Sequence, residues 1–150
     1  MLNDDQVEGG QGFDRHDHNN MEIVSIPLEG TLAHQDSMGN GRTIETGDVQ
    51  IMSAGKGVQH AEFNGDQKDH VKFLQIWVIP NERDLEPQYD QKSYLQLDKH
   101  NKFVTIVSPD KADHNAVQIH QDAYFNLADI DLGKKIEYTV HSEKNGLYVF

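Results

Sequence analysis

Four side chains at alternate positions carry the chemistry open to this sequence: His16 and His18 in GFDRHDHNNME (12–22), and His60 and Glu62 in GKGVQHAEFN (55–64). Residues two apart on a strand point to the same face, so each pair projects together. Two antiparallel strands of one small barrel would aim all four at a common interior point. Two or three imidazoles and one carboxylate, with coordination positions left open, suit a divalent first-row metal such as Fe(II), Mn(II), Ni(II), Cu(II) or Zn(II). Glu22 has the parity of the first pair and lies four residues beyond His18, so it competes as the carboxylate ligand. A lone His-x-His in a chain with nine histidines is more often a solvated loop. Here each pair follows glycines and borders a strand, and that joint placement favours ligation.

The elements that must position these residues are short strands. Helical periodicity is scarce, while brief apolar or alternating runs recur between glycine and Asx signals. MEIVSIPLEG (21–30) reads as a strand ending in a glycine turn, with TLAHQD (31–36) as its antiparallel return. SMGNG (37–41) is a hairpin signal, because Gly39 and Asn40 tolerate positive φ. RTIET, VQIMSA and VQHAEF follow as further strands. HVKFLQIWVIP (70–80) is the most apolar run, with apolar residues on both faces, and belongs in the middle of a sheet. Residues 81–100 are polar, hold Pro87 and read as a surface linker. Beyond them KFVTIVSPD, AVQIHQDAYFNLADI, KKIEYTV and GLYVF look like a second set of strands.

Bulk properties narrow the partners. The chain has 150 residues, 36% of them hydrophobic, a net charge of -12 and no cysteine, with a mean hydropathy of -0.71. It lacks the basic footprint that a nucleic acid or an anionic membrane surface requires. Without thiols, metal ligands must come from histidine, carboxylate or amide. No apolar run approaches the length of a membrane span, and MLNDDQVEGG has no signal-peptide character, so a cytoplasmic location is expected.

Gly10, His16-x-His18 and Glu22 resemble the first cupin motif, and Gly57, His60 and Asn64 the end of the second. HxHxxxE, LEGxxxHxDSxGN, GDxQxMSAGxGxxHxE and LQIWxxP together are similar to the pirin family and, within it, to bacterial quercetin 2,3-dioxygenase-like members. The resemblance implies an all-β fold: a cupin barrel (double-stranded β-helix, or jelly roll) in residues 1–80, a linker over 81–100, and an incomplete cupin-like domain in 101–150. It implies one metal held by His16, His18, His60 and Glu62, with Glu22 ranked behind Glu62. Fe(II) is the first choice, with Mn, Ni, Cu, Zn and Co as alternatives. The implied reaction is oxidative ring opening of a flavonol such as quercetin with O2, releasing carbon monoxide, with Glu62 as ligand or released base taking the flavonol proton. Two other readings stand beside it: a non-catalytic regulatory or redox-sensing metal module, and another cupin reaction such as isomerisation or decarboxylation. Family members extend past both ends of this sequence, so the chain is expected to be a truncated member, with bare edges open to self-association.

Other residues are read as structural. His34 is expected to be a half-exposed strand residue near the barrel mouth, and His70 a polar strand start. His100, His114, His120 and His141 are expected at the surface. Asp36 and Asn40 serve a turn, and Met52 and Trp77 form core or pocket wall.

Overall fold

The structure, a computed structural model, describes residues 1–144 and 146–149. Among them every regular element is a strand: β1 (Leu2–Val7), β2 (Gly12–His18), β3 (Glu22–Glu29), β4 (Thr31–Asp36), β5 (Gly41–Glu45), β6 (Asp48–Ser53), β7 (Val58–Asn64), β8 (Val71–Val78), β9 (Gln88–Ser93), β10 (Val104–Ser108), β11 (Val117–Gln118) and β12 (Phe125–Leu127). Two antiparallel sheets form the halves of a barrel, one in the order β1-β8-β3-β6-β9 and the other β2-β7-β4-β5. Val7, Leu32, Ile44, Val71 and Phe73 pack between them at one end. Ile23, Met52 and Val58, with Trp77, pack at the other.

As expected, β8 is internal, paired with β1 on one side and β3 on the other. Both its faces are covered. Phe73 belongs to the barrel core, while Ile76 and Val78 pack outward against Ile106, Val107, Val117 and Ile119 of the smaller β11-β10-β12 sheet. This outer cluster, with Val24, Val49 and Ile51, joins the first barrel to the carboxy-terminal half.

Three expectations are corrected. TLAHQD is not the hairpin return of the strand before it: β3 and β4 lie in different sheets. The chain crosses at Gly30, whose φ of 77° and close approach to the His70 carbonyl, 2.8 Å from where a Cβ would sit, both require glycine. The polar stretch 81–100 is more than a linker, because β9 pairs with β6 from Asp48↔Ser93 to Ser53↔Gln88 and the Tyr94 side chain joins the outer apolar cluster. KKIEYTV (134–140) and residues 146–149 form no strand; Leu147, Tyr148 and Val149 are exposed. A strand persists only where a neighbour takes its backbone hydrogen bonds, and among the described residues none does so there. Phe150, the end of GLYVF, lies outside the described residues. The expected SMGNG hairpin is present, linking β4 to β5 in register His34↔Arg42.

Candidate metal centre

β2 and β7 are antiparallel neighbours, and their register decides which side chains meet. Gly12↔Phe63 and Phe13↔Glu62 pair in one register, whereas His16↔His60, Asp17↔Gln59 and His18↔Val58 pair in a register shifted by one residue. The shift is a β-bulge between Phe13 and His16. Without it His16 would oppose Gln59, and both β2 histidines would turn away from His60. With it, His16, His18 and His60 form a triangle of rings with centroids 4.4–4.9 Å apart. The two pairs therefore lie side by side within one sheet.

The nitrogens of this triangle are set up to bind something. His16 donates from Nδ1 to the Asp14 carbonyl at 2.7 Å, which frees Nε2. His18 Nε2 and both ring nitrogens of His60 are buried without a hydrogen-bond partner. Leaving that many polar atoms unpaired costs several kcal/mol in total, at about 1–3 kcal/mol each, unless a ligand satisfies them. One ligand nitrogen from each of the three histidines lies within 4.8 Å of the others, a separation that fits a single ion. Burial, and then the nearby His16, His18 and His34, lower the pKa of His60 from 6.5 to about 3. It is a neutral lone-pair donor at physiological pH, the form a metal requires.

Glu62 is 3% exposed, and burial raises its pKa. Both carboxylate oxygens accept from Gln75 Nε2 on the facing sheet, at 2.9 and 2.8 Å, and Gln75 Oε1 accepts from Trp77 Nε1 at 3.0 Å. A relay from Trp77 through Gln75 to Glu62 thus holds the carboxylate on the His60 and His34 side of the triangle. The Trp77 ring also meets His18 edge-on at 4.8 Å, and with Ile23, Met52 and Val58 it makes the apolar wall expected of it.

A second set of ligand-type atoms, from His34, His60 and Glu62, is equally close-knit. His34 is not half-exposed as expected. It is 3% exposed, with its ring 5.3 Å from that of His60 and Nε2 donating to Asp36 at 3.1 Å. Asp36 also serves the turn, accepting from the Met38 and Asn40 backbone and from the Asn40 amide. The signal for His34 was present in the sequence as His34-x-Asp36, another alternate polar pair. Gln75 showed itself only as a polar residue in the middle of LQIW.

Glu22 is outside this group. The polypeptide leaves β2, turns at Asn20 with φ 47° and enters β3 in the other sheet, so counting parity from His18 does not carry across. Glu22 faces the carboxy-terminal half. Its Oε2 accepts from Ser53 Oγ at 2.8 Å and from the His120 backbone N–H at 3.1 Å, with His120 Nδ1 at 3.3 Å. His120 is therefore half-buried at this junction and not the surface residue expected. His70 flanks β8 opposite Glu29, while His100, His114 and His141 are exposed as expected.

The sequence matches two family descriptions, Pirin over residues 1–78 and Quercetinase C-terminal cupin domain over residues 105–150. It is 42% identical over 122 residues to quercetin 2,3-dioxygenase of Escherichia coli K12, a match covering 81% of this chain and 51% of that protein. Over 150 residues it is 36% identical to the pirin-like protein of Caulobacter vibrioides, covering 99% of this chain and 64% of that one. The crystal structure of YhhW from Escherichia coli aligns with a TM-score of 0.76 at 41% identity, over 82% of this chain and 51% of YhhW. The bacterial pirin YhhW in complex with nickel(II) aligns with a TM-score of 0.76 at 39% identity, over 83% of this chain and 52% of that one. The chain spans 51–64% of the length of these relatives.

Proposed function

The chain belongs to the pirin family, and we propose on that footing that its first barrel is the metal centre of a quercetin 2,3-dioxygenase-type enzyme. The observation that carries the reading is the triangle of His16, His18 and His60, with buried nitrogens left unpaired around one point. These three histidines would hold a divalent metal, Fe(II) being the first choice, with Glu62 as the carboxylate. The nickel(II) bound to a relative of the same fold supports a divalent occupant. When bound, such an ion supplies positive charge that lowers the pKa of a coordinated hydroxyl, with positions left open for a chelating substrate and O2.

The reaction proposed is addition of O2 to a flavonol, with cleavage of the heterocyclic ring and release of carbon monoxide. The residues of the chain have separate parts in it. Glu62, whose carboxylate burial makes more basic than usual, takes the proton of the flavonol hydroxyl on an oxygen held in place by Gln75. His60 stays neutral because burial and its neighbours depress its pKa. Ile23, Met52 and Trp77 exclude water and offer an apolar surface to a planar ring.

The test is O2-dependent loss of flavonol absorbance by metal-reconstituted protein, beside His60→Ala. Turnover by the native chain and none by the variant is the expected result. Tight metal binding without turnover sinks the dioxygenase reading and leaves a non-catalytic metal module. Equal turnover by His60→Ala removes the site assignment.

A further inference from the structure

On one side of the barrel the two sheets end in the edge strands β5 and β9. An open cleft of about 670 Å³ runs there, lined by Ala33, His34, Gly41, Arg42, Thr43 and Gln91. Arg42 is directly opposite His34 in the β4–β5 register, and opposed residues share a face of the sheet. Its guanidinium carbon stands 5.9 Å from the centre of the Tyr89 ring. Tyr89 in turn lies 5.1 Å from His34, and His34 lies 5.3 Å from His60. Side chains are thus in steps of ring contact from exposed Arg42 to the histidine triangle.

Three observations distinguish this seam from packed wall. First, among the described residues no carboxylate lies within 4.0 Å of Arg42. The acids whose charge reaches Tyr89 are otherwise engaged: Asp36 by His34 and Asn40, Asp48 by Gln91 Nε2 and the Glu45 backbone, and Asp90 by the Gln91 backbone and Lys92. Second, His34 lines the cleft with its Nδ1 buried and unpartnered. Third, Gln50, opposite Gln91 in the β6–β9 register, is 1% exposed with neither amide atom partnered. An unpaired cation at the mouth, an aromatic ring beside it and unsatisfied polar atoms further in together describe the outline of a ligand.

We propose that the Arg42–Tyr89–His34 seam recognises a planar aromatic ligand bearing an anionic oxygen, a carboxylate or an ionised phenol. The anion pairs with the Arg42 guanidinium, whose planar fork matches a carboxylate bidentately. The ring lies along Tyr89 and His34, and its far end points toward the histidine triangle. This names the charge state of the substrate class, and it rests on the dioxygenase reading only for what happens at the inner end.

The test needs neither metal nor turnover. Equilibrium dialysis of the metal-free full chain compares 4-hydroxybenzoate with 4-hydroxybenzamide, which share a ring and nearly a shape but differ in charge. The native chain should bind the benzoate ~10-fold more tightly or better, the worth of one charge-assisted pair. Arg42→Gln should bring the ratio to about one, Arg42→Lys should keep part of it, and Tyr89→Leu should weaken both probes alike. Arg42 is exposed, so its variants should melt with the native chain. Equal binding of the two probes by the native chain, no binding of either at millimolar concentration, or an unchanged ratio in Arg42→Gln overturns the proposal. Failure of flavonol turnover leaves this outcome untouched, and loss of discrimination leaves the metal site untouched.

Discussion

Acidifying the metal-free chain from neutral pH to about pH 4 puts the histidine triangle under a load that can be calculated. His60 is 1% exposed and titrates at about 3 in the fold against 6.5 ordinarily, first because burial strips solvent from its charged form and then because of the surrounding histidines. The unfolded chain therefore takes up this proton before the folded one does. The contribution of His60 is fully present above pH 6.5, falls as pH drops through the window from 6.5 to about 3, and levels off below it. At 1.36 kcal/mol per pH unit the loss is about 3 kcal/mol by pH 4, with a limit of about 5 kcal/mol. Folded domains hold only about 5–15 kcal/mol in total, so this one imidazole can decide whether the metal-free fold survives. Glu62 works the other way. Its raised pKa means the folded state holds that proton more tightly, so its contribution is present at low pH and lost as pH rises through its folded value. It opposes the His60 slope from the ordinary carboxylate value of 4.5 upward and leaves the slope below 4.5 untouched. The assay is urea unfolding in chelator at stepped pH, with native and His60→Leu chains side by side. Glu62 is common to both chains, so the native chain should lose about 3 kcal/mol more than the variant between pH 6.5 and 4. Parallel losses in the two chains would refute the claim that a buried, neutral His60 sets the acid limb.

Restoring a divalent metal at a hundredfold excess over its dissociation constant should add about 2.7 kcal/mol. That raises the melting temperature by roughly 5–11 °C in scanning calorimetry, with no rise for His60→Ala. Gln75→Leu removes the donor to both oxygens of Glu62 and should cost about 1–3 kcal/mol in urea unfolding of the metal-free chain. A Gln75→Leu chain as stable as native would show that the relay does not hold the carboxylate. Glu22→Leu leaves Ser53 and the His120 backbone without their acceptor and should cost a similar amount, while metal affinity by competition titration stays within about twofold of native. A large loss of affinity in that variant would return Glu22 to the ligand set.

The alternation of His16 with His18 and of His60 with Glu62 was legible because period two is a local property of any strand. What brings the two pairs together is not local. The bulge between Phe13 and His16 has no glycine or proline of its own within Asp14–Arg15 to announce it, and one residue of register decides whether the triangle exists. Glu22 was misplaced for the complementary reason: its parity was counted through residues 19–21, where the chain leaves one sheet for the other. β8 was legible as an internal strand because both its faces are apolar. β9 was not, because the inner face it lines is itself polar, through Gln91, Gln50 and Gln75, and an alternating polar strand against a polar interior looks like linker.

That polar interior also explains how so acidic a chain can select its ligands. A net charge of -12 favours a cation anywhere near the surface and disfavours an anion. At physiological ionic strength such fields fade over about 8 Å, so neither preference reaches far. Selection must then come from groups in direct contact. Imidazole nitrogens bind a cation by lone-pair donation and not by charge, which leaves the ion's positive charge for the substrate. Among the described residues that line the seam, Arg42 is the cation, and it sits on the sheet edge where that substrate would enter. With Arg42 at the mouth and the proposed metal site behind it, an anionic oxygen on a planar ring is the ligand feature that both positions would favour.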